Sequence, residues 1–119
     1  MLSQIHLLLA IASAIVTGVV GLEAGWRLVT DVAAARLSGV LGRTQLFVVA
    51  ATAVVGVLLV ASGESAGNGL HYLLAVIALL SVPAAPMAVM RAGDRTRAAA
   101  TCVAAVAALV AVALLFVTG

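Results

Sequence analysis

Four long apolar runs separated by three more polar stretches constrain this chain more than any other feature of its sequence. A helix needs about 20 predominantly apolar residues to cross the roughly 30 Å hydrocarbon layer of a bilayer, because it rises about 1.5 Å per residue. The runs predict helices at about 2–23, 44–61, 70–90 and 97–117. Of the 119 residues, 66% are hydrophobic and only 8% are charged, which is too little polar surface to keep a domain of this size soluble. The expected fold class is all-α. A polytopic membrane protein is predicted, with one domain, 1–119, folded as a four-transmembrane-helix up-down-up-down bundle.

The connections carry the information about orientation. The first, EAGWRLVTDVAAARLSGVLGRT, has room for an interfacial turn or two of helix with Trp26 near headgroup level, and helix 1 can run on through AGWRL. The second, SGESAGNG, reads as a polar hairpin loop whose glycines and Asn68 tolerate left-handed backbone angles. The third, RAGDRTR, is tight and charged. All six basic residues are arginines, and Arg27, Arg36, Arg43, Arg91, Arg95 and Arg97 fall only in the first and third connections. The positive-inside bias places those two connections in the cytoplasm, with both termini and the second connection on the other face of the cell's inner (plasma) membrane. The first apolar run lacks a charged preceding region, so it reads as a retained helix and not a removed signal peptide. No basic stripe or aromatic platform accompanies the arginines, which argues against nucleic acid as a partner. Cys102, the one cysteine, cannot form an internal disulfide and reads as apolar filler, a thiol ligand being the alternative.

Two prolines, Pro83 and Pro86, fall inside the third run. Each removes a backbone donor, so a kink is expected between about Leu79 and Pro86, with Ser81 placed to satisfy a freed carbonyl. The chain also shows traces of internal duplication. IHLLLAIA at Ile5 lies over LHYLLAVI at Leu70, and VGVLLVASG at Val55 lies over AVALLFVTG at Ala111. Two copies of a helical hairpin would enter the membrane in the same direction and be related by an axis along its normal. Helices 1 and 3 would then be diagonal neighbours across the bundle, able to turn equivalent residues toward one another.

The equivalent residues of interest are His6 and His71, each at the mouth of an apolar run near the non-cytoplasmic surface. At steps of three and four, the His6 side of helix 1 continues through Ala10, Ser13, Thr17 and Gly21, and the His71 side of helix 3 through Ala75, Ala78, Val82 and Ala85. Two imidazoles facing one another across narrow faces are the donor set of a b-type heme with His6 and His71 as axial ligands. The same small residues are also the usual means of close packing between spanning helices, and a histidine in the first turn can simply sit at the headgroup boundary. In topology the chain resembles the heme-bearing four-helix membrane bundles of the heme A synthase and cytochrome b561 kind. That resemblance implies ligands on diagonal helices, here His6 and His71, and heme b as the cofactor. The charged, glycine-rich signature that follows the first helix in heme A synthases is missing from VVGLEAGWRLVTD.

Glu23 and Arg27 stand four apart in the favourable order, acid before base, and form an interfacial charge cluster with Arg91, Asp94 and Arg95. Asp94 is expected to neutralise a neighbouring arginine. An acid inside the layer would instead suggest proton coupling, and length and helix count are similar to those of the small multidrug exporters. In that family, however, the essential acid lies well inside helix 1, whereas Glu23 falls at its cytoplasmic end. There is no carboxylate pair, activated serine, metal-ligating cluster or phosphate-cradling glycine loop, so catalytic activity of the chain's own is not expected. Trp26 and Tyr72 occupy anchor positions at opposite interfaces.

These features favour a small integral membrane accessory subunit that contacts lipid and packs against larger integral membrane subunits, of respiratory or electron-transfer type. The alternatives are a b-type heme-binding electron-transfer protein and, third, a small proton-coupled transporter.

Overall fold

The computed structural model describes residues 1–31, 36–64, 69–88 and 91–118, without the side chains of residues 82, 83, 85, 86, 88 and 118. The chain is all-helical over these residues: α1 (Leu2–Thr30), α2 (Arg36–Ala61), α3 (Gly69–Ala88) and α4 (Asp94–Thr118). Three of the four helices, α1, α2 and α4, are long and apolar enough to cross a membrane, and α3 contributes a shorter apolar stretch, Gly69–Ser81. The bundle is elongated, 48 × 23 × 22 Å, and its long axis matches a bilayer of about 40–45 Å with headgroups included.

The first connection differs from expectation. The sequence suggests two helices ending at about Glu23 and starting at about Thr44; instead α1 continues to Thr30 and α2 begins at Arg36. The intervening polar residues do not stop a helix because they find partners along it: Thr30 donates to the Trp26 carbonyl, Thr44 to the Val40 carbonyl, and Arg27 pairs with Glu23 one turn back. α1 stops at Asp31, which takes left-handed angles (φ 53°, ψ 24°), a conformation that aspartate tolerates better than most residues. At the other charged connection α4 starts at Asp94, three residues before the expected Arg97. An acid in a first turn complements the positive end of the helix dipole.

α1 and α4 each pack broadly on two neighbours. α1 packs against α2 and α4, α3 packs against α4, and α2 meets α3 only thinly, while α1 and α3 lie diagonally with no backbone contact among the described residues. The two broad faces of α1 are built differently. Toward α4 the contact is steric: Ala24, Ala98, Ala105, Ala108 and Ala111 are buried, and a Cβ on Gly21 would come within 2.9 Å of the Ala105 Cβ. Small residues let the helix axes approach, and dispersion then holds them together without any hydrophobic drive from water.

Toward α2 the contact is polar. Ser13 and Thr52 share a hydrogen bond of 2.9 Å, Gln45 Nε2 donates to Thr17 Oγ1 at 3.2 Å, and Ser38 donates to Glu23 Oε1 at 2.6 Å. The partners climb α1 as they descend α2, so the two helices are antiparallel. Such bonds average about 0.6 kcal/mol each in a membrane protein; their main effect is to fix register, because a shifted pairing would leave buried Gln45, Ser13 and Thr17 without partners.

The kink expected at Pro83 and Pro86 depends on side chains outside the described residues. Ser81 donates to the Ala78 carbonyl at 2.9 Å and not to the Leu79 carbonyl that Pro83 would free. Val82 and Ala85 of the expected His71 face also lie outside the described side chains. Within them, that face is not uniformly narrow, since Leu74 is buried and Ala75 exposed.

Candidate functional site

The diagonal placement of α1 and α3 brings their N-terminal histidines to the same end of the bundle. His6 reaches inward over α2. A Cβ built on Gly56 would sit 3.2 Å from its Cε1 and 3.7 Å from its Nδ1, so only glycine at this position lets α2 approach the ring without displacing it. His6 Nδ1 is buried and has no hydrogen-bond partner. A buried imidazole nitrogen without a partner costs free energy. His71 lies edge-on to Tyr72, with ring centroids 6.1 Å apart and planes at 86°.

The small-residue face of α1 below His6 has a different use from the one expected of a cofactor face. Ser13 and Thr17 bond to α2, and Gly21 presses on α4. Helix packing fully accounts for these residues, and only His6, His71 and Gly56 remain as a candidate site at that end. No group of three or more metal-ligating side chains is present among the described residues.

The charged residues gather at the opposite end, in two tiers. Glu23 and Arg27 form the inner tier. Arg27 Nε lies 2.9 Å from Glu23 Oε1, an ion pair without hydrogen-bond alignment, and the Arg27 and Glu23 side chains are only 10% and 18% exposed. With Ser38 donating to the same carboxylate oxygen, Glu23 is engaged on two sides, which leaves the acid weighed above as a proton-coupling group occupied in holding α1 to α2. The outer tier is solvated. Arg95 pairs with Asp31 across α4 and α1 and also donates to the Leu28 carbonyl, with Arg95 and Asp31 68% and 75% exposed. Arg97 pairs with Asp94, the neutralisation expected for that acid. Arg91 is exposed. Asp31, four residues from Arg27 in sequence, pairs instead with Arg95 of α4.

Gln45, Thr52 and Ser38 escaped the sequence reading. Their signal is spacing: Ser38, Gln45 and Thr52 recur every seven residues in an otherwise apolar run, the period that keeps one stripe of a helix against a neighbour.

No protein-family model, curated protein or solved structure matches this chain. Its function is therefore argued from its own residues.

Proposed function

We propose that this chain is a four-pass membrane subunit of electron-transfer type that holds a b-type heme between His6 and His71. What supports the reading is the placement of two imidazoles, near the N-termini of the diagonal helices α1 and α3, at one end of the bundle. The donor chemistry fits: two imidazoles at one end of the bundle, and a glycine on α2 where a larger residue would push against the His6 ring. His6 and His71 would hold the iron; Ser13, Thr17 and Gly21 contribute only by packing the helices beneath. When bound through two imidazoles, such a group supplies a one-electron carrier with no open coordination position. The arginines face the cytoplasm in this reading, and the histidine end faces the opposite side of the inner membrane.

The visible spectrum of protein solubilised from its native membrane tests it. A sharp reduced-state alpha band that disappears in both His6→Ala and His71→Ala supports the assignment. A wild-type protein without that band, isolated with its partners retained, refutes it.

A second reading, an accessory subunit packed against larger membrane subunits, rests on α2. This 26-residue helix buries only Gln45 within the chain and meets α3 thinly, so most of its circumference is available to a neighbouring helix. Co-purification of large hydrophobic subunits after mild solubilisation supports it, and loss of that association on Phe47→Ala with Val54→Ala, both exposed on α2, would place the contact there.

A further inference from the structure

A groove of about 490 Å³ runs between α3 and α4, walled by Ser81 and Ala84 on one side and Thr96, Ala99, Ala100, Val103 and Ala104 on the other. It lies on the arginine-bearing half of the bundle, between the C-terminal part of α3 and the N-terminal part of α4, and exposed Arg91, three residues before α4, belongs to the same end. Arg97 stands three and seven residues before Ala100 and Ala104, so helical register puts it along the groove's edge.

Charge at this end is not balanced. Six arginines meet only Glu23, Asp31 and Asp94 there, because the fourth acid, Glu64, belongs to the other end; the excess is three positive charges. The ion pairs use Arg27, Arg95 and Arg97, and among the described ion pairs Arg36, Arg43 and Arg91 take no part. An apolar slot that opens along the helices, with an unneutralised guanidinium at the same end, has the chemistry of an anionic phospholipid: an acyl chain for the slot and a phosphate for the arginine.

We infer that the α3–α4 groove is a seat for an anionic phospholipid, with one acyl chain against Ala84, Ala100 and Ala104 and the headgroup phosphate at Arg91. Small side chains here serve the lipid: they leave the depth that larger ones would fill. A second copy of this chain, seating a helix in the same slot, is the rival occupant.

The test uses the full chain in nanodiscs of phosphatidylcholine carrying a minor fraction of brominated phosphatidylglycerol or, in parallel, brominated phosphatidylcholine. Trp26 is the sole tryptophan, is exposed and belongs to the same end, but it reports bulk lipid as well. The decisive readout is therefore native mass spectrometry of the protein released from these discs. Retention of one phosphatidylglycerol in at least tenfold preference to phosphatidylcholine is expected. Arg91→Gln should abolish the headgroup preference, and Ala100→Leu with Ala104→Leu should abolish retention of either lipid. Val110→Leu, on an exposed part of α4 outside the groove, should change neither and serves as the folding control together with circular dichroism of each variant. Equal retention of the two lipids, or retention unaffected by the leucines, overturns the proposal. So does a dimer that the leucines dissociate, since the slot would then belong to a second copy.

Discussion

Gly21→Ala is the most exacting probe of how α1 and α4 are held. Its new Cβ would sit 2.9 Å from the Ala105 Cβ, whereas carbon atoms rest about 3.5–4.0 Å apart. Both atoms are fixed to helix backbone and neither can rotate away, so the helices must separate by roughly 0.6–1.1 Å at this level. Overpacking of this kind costs about 1–3 kcal/mol, partly offset by up to about 1 kcal/mol from the better helix propensity of alanine. The single change thus tests the sum of two opposed terms, and a cycle separates them. In Gly21→Ala with Ala105→Gly the methyl has only moved from one helix to the other, and propensity cancels. The coupling between the two sites should be about 1–3 kcal/mol in favour of the double variant over the sum of the singles. Unfolding in mixed micelles of rising SDS fraction, followed by circular dichroism and by Trp26 fluorescence, measures each stability. Coupling below about 0.5 kcal/mol, the usual limit of additivity, would show that the Gly21–Ala105 approach is not what sets the α1–α4 distance.

Three further outcomes follow from the other contacts. The cycle joining Thr17→Val and Gln45→Leu should give a coupling near 0.6 and below about 1.7 kcal/mol, the range for interhelical bonds in membranes; a larger value from the same SDS titration would mean the bond carries the hairpin alone. Asp31→Asn, at an exposed pair, should cost less than about 1 kcal/mol and nothing measurable in 1 M salt, while Glu23→Gln, which leaves an oxygen for Ser38 but removes the charge facing the mostly buried Arg27, should cost several times more and keep its cost in salt; the reverse order would contradict the two-tier arrangement. In a Cys102→Ser background, an impermeant maleimide added to intact cells should label a cysteine at Ser62 but not one at Arg91, and labelling of both would remove the four-pass reading.

Helix existence was legible because it rests on a quantity the sequence states directly, the length of apolar runs. The ends were less so: a run of hydropathy stops at Glu23, but the hydrogen bonds that carry α1 to Thr30 and start α2 at Arg36 depend on partners one turn away or on the facing helix. That His6 and His71 belong to the same end of the bundle followed from counting helices and from the likeness of their flanking residues. What the small residues beneath them do could not follow, since Ser13 and Thr17 look the same whether they clear space or bond to Thr52 and Gln45. A stripe of small side chains states how near a neighbour can come, and says nothing of which neighbour it is.

Three broad interfaces and one thin one hold the bundle together. α1 is tied to α2 by hydrogen bonds and to α4 by close packing, and α3 is tied to α4, but α2 and α3 meet thinly and α1 and α3 have no backbone contact among the described residues. A ligand shared by His6 and His71 would join that diagonal pair and would bind the folded bundle but not the separated helices. By mass action it must then stabilise the fold by about 2.7 kcal/mol at a hundred times its dissociation constant. Hemin added to the apoprotein should shift the SDS midpoint upward by that amount, with no shift in His6→Ala or His71→Ala. Gly56→Leu should weaken the shift without removing either imidazole, because its side chain would displace the His6 ring. An alpha band that appears with no change in midpoint would mean that heme binds one histidine at the surface, and the second imidazole would have no part in holding it.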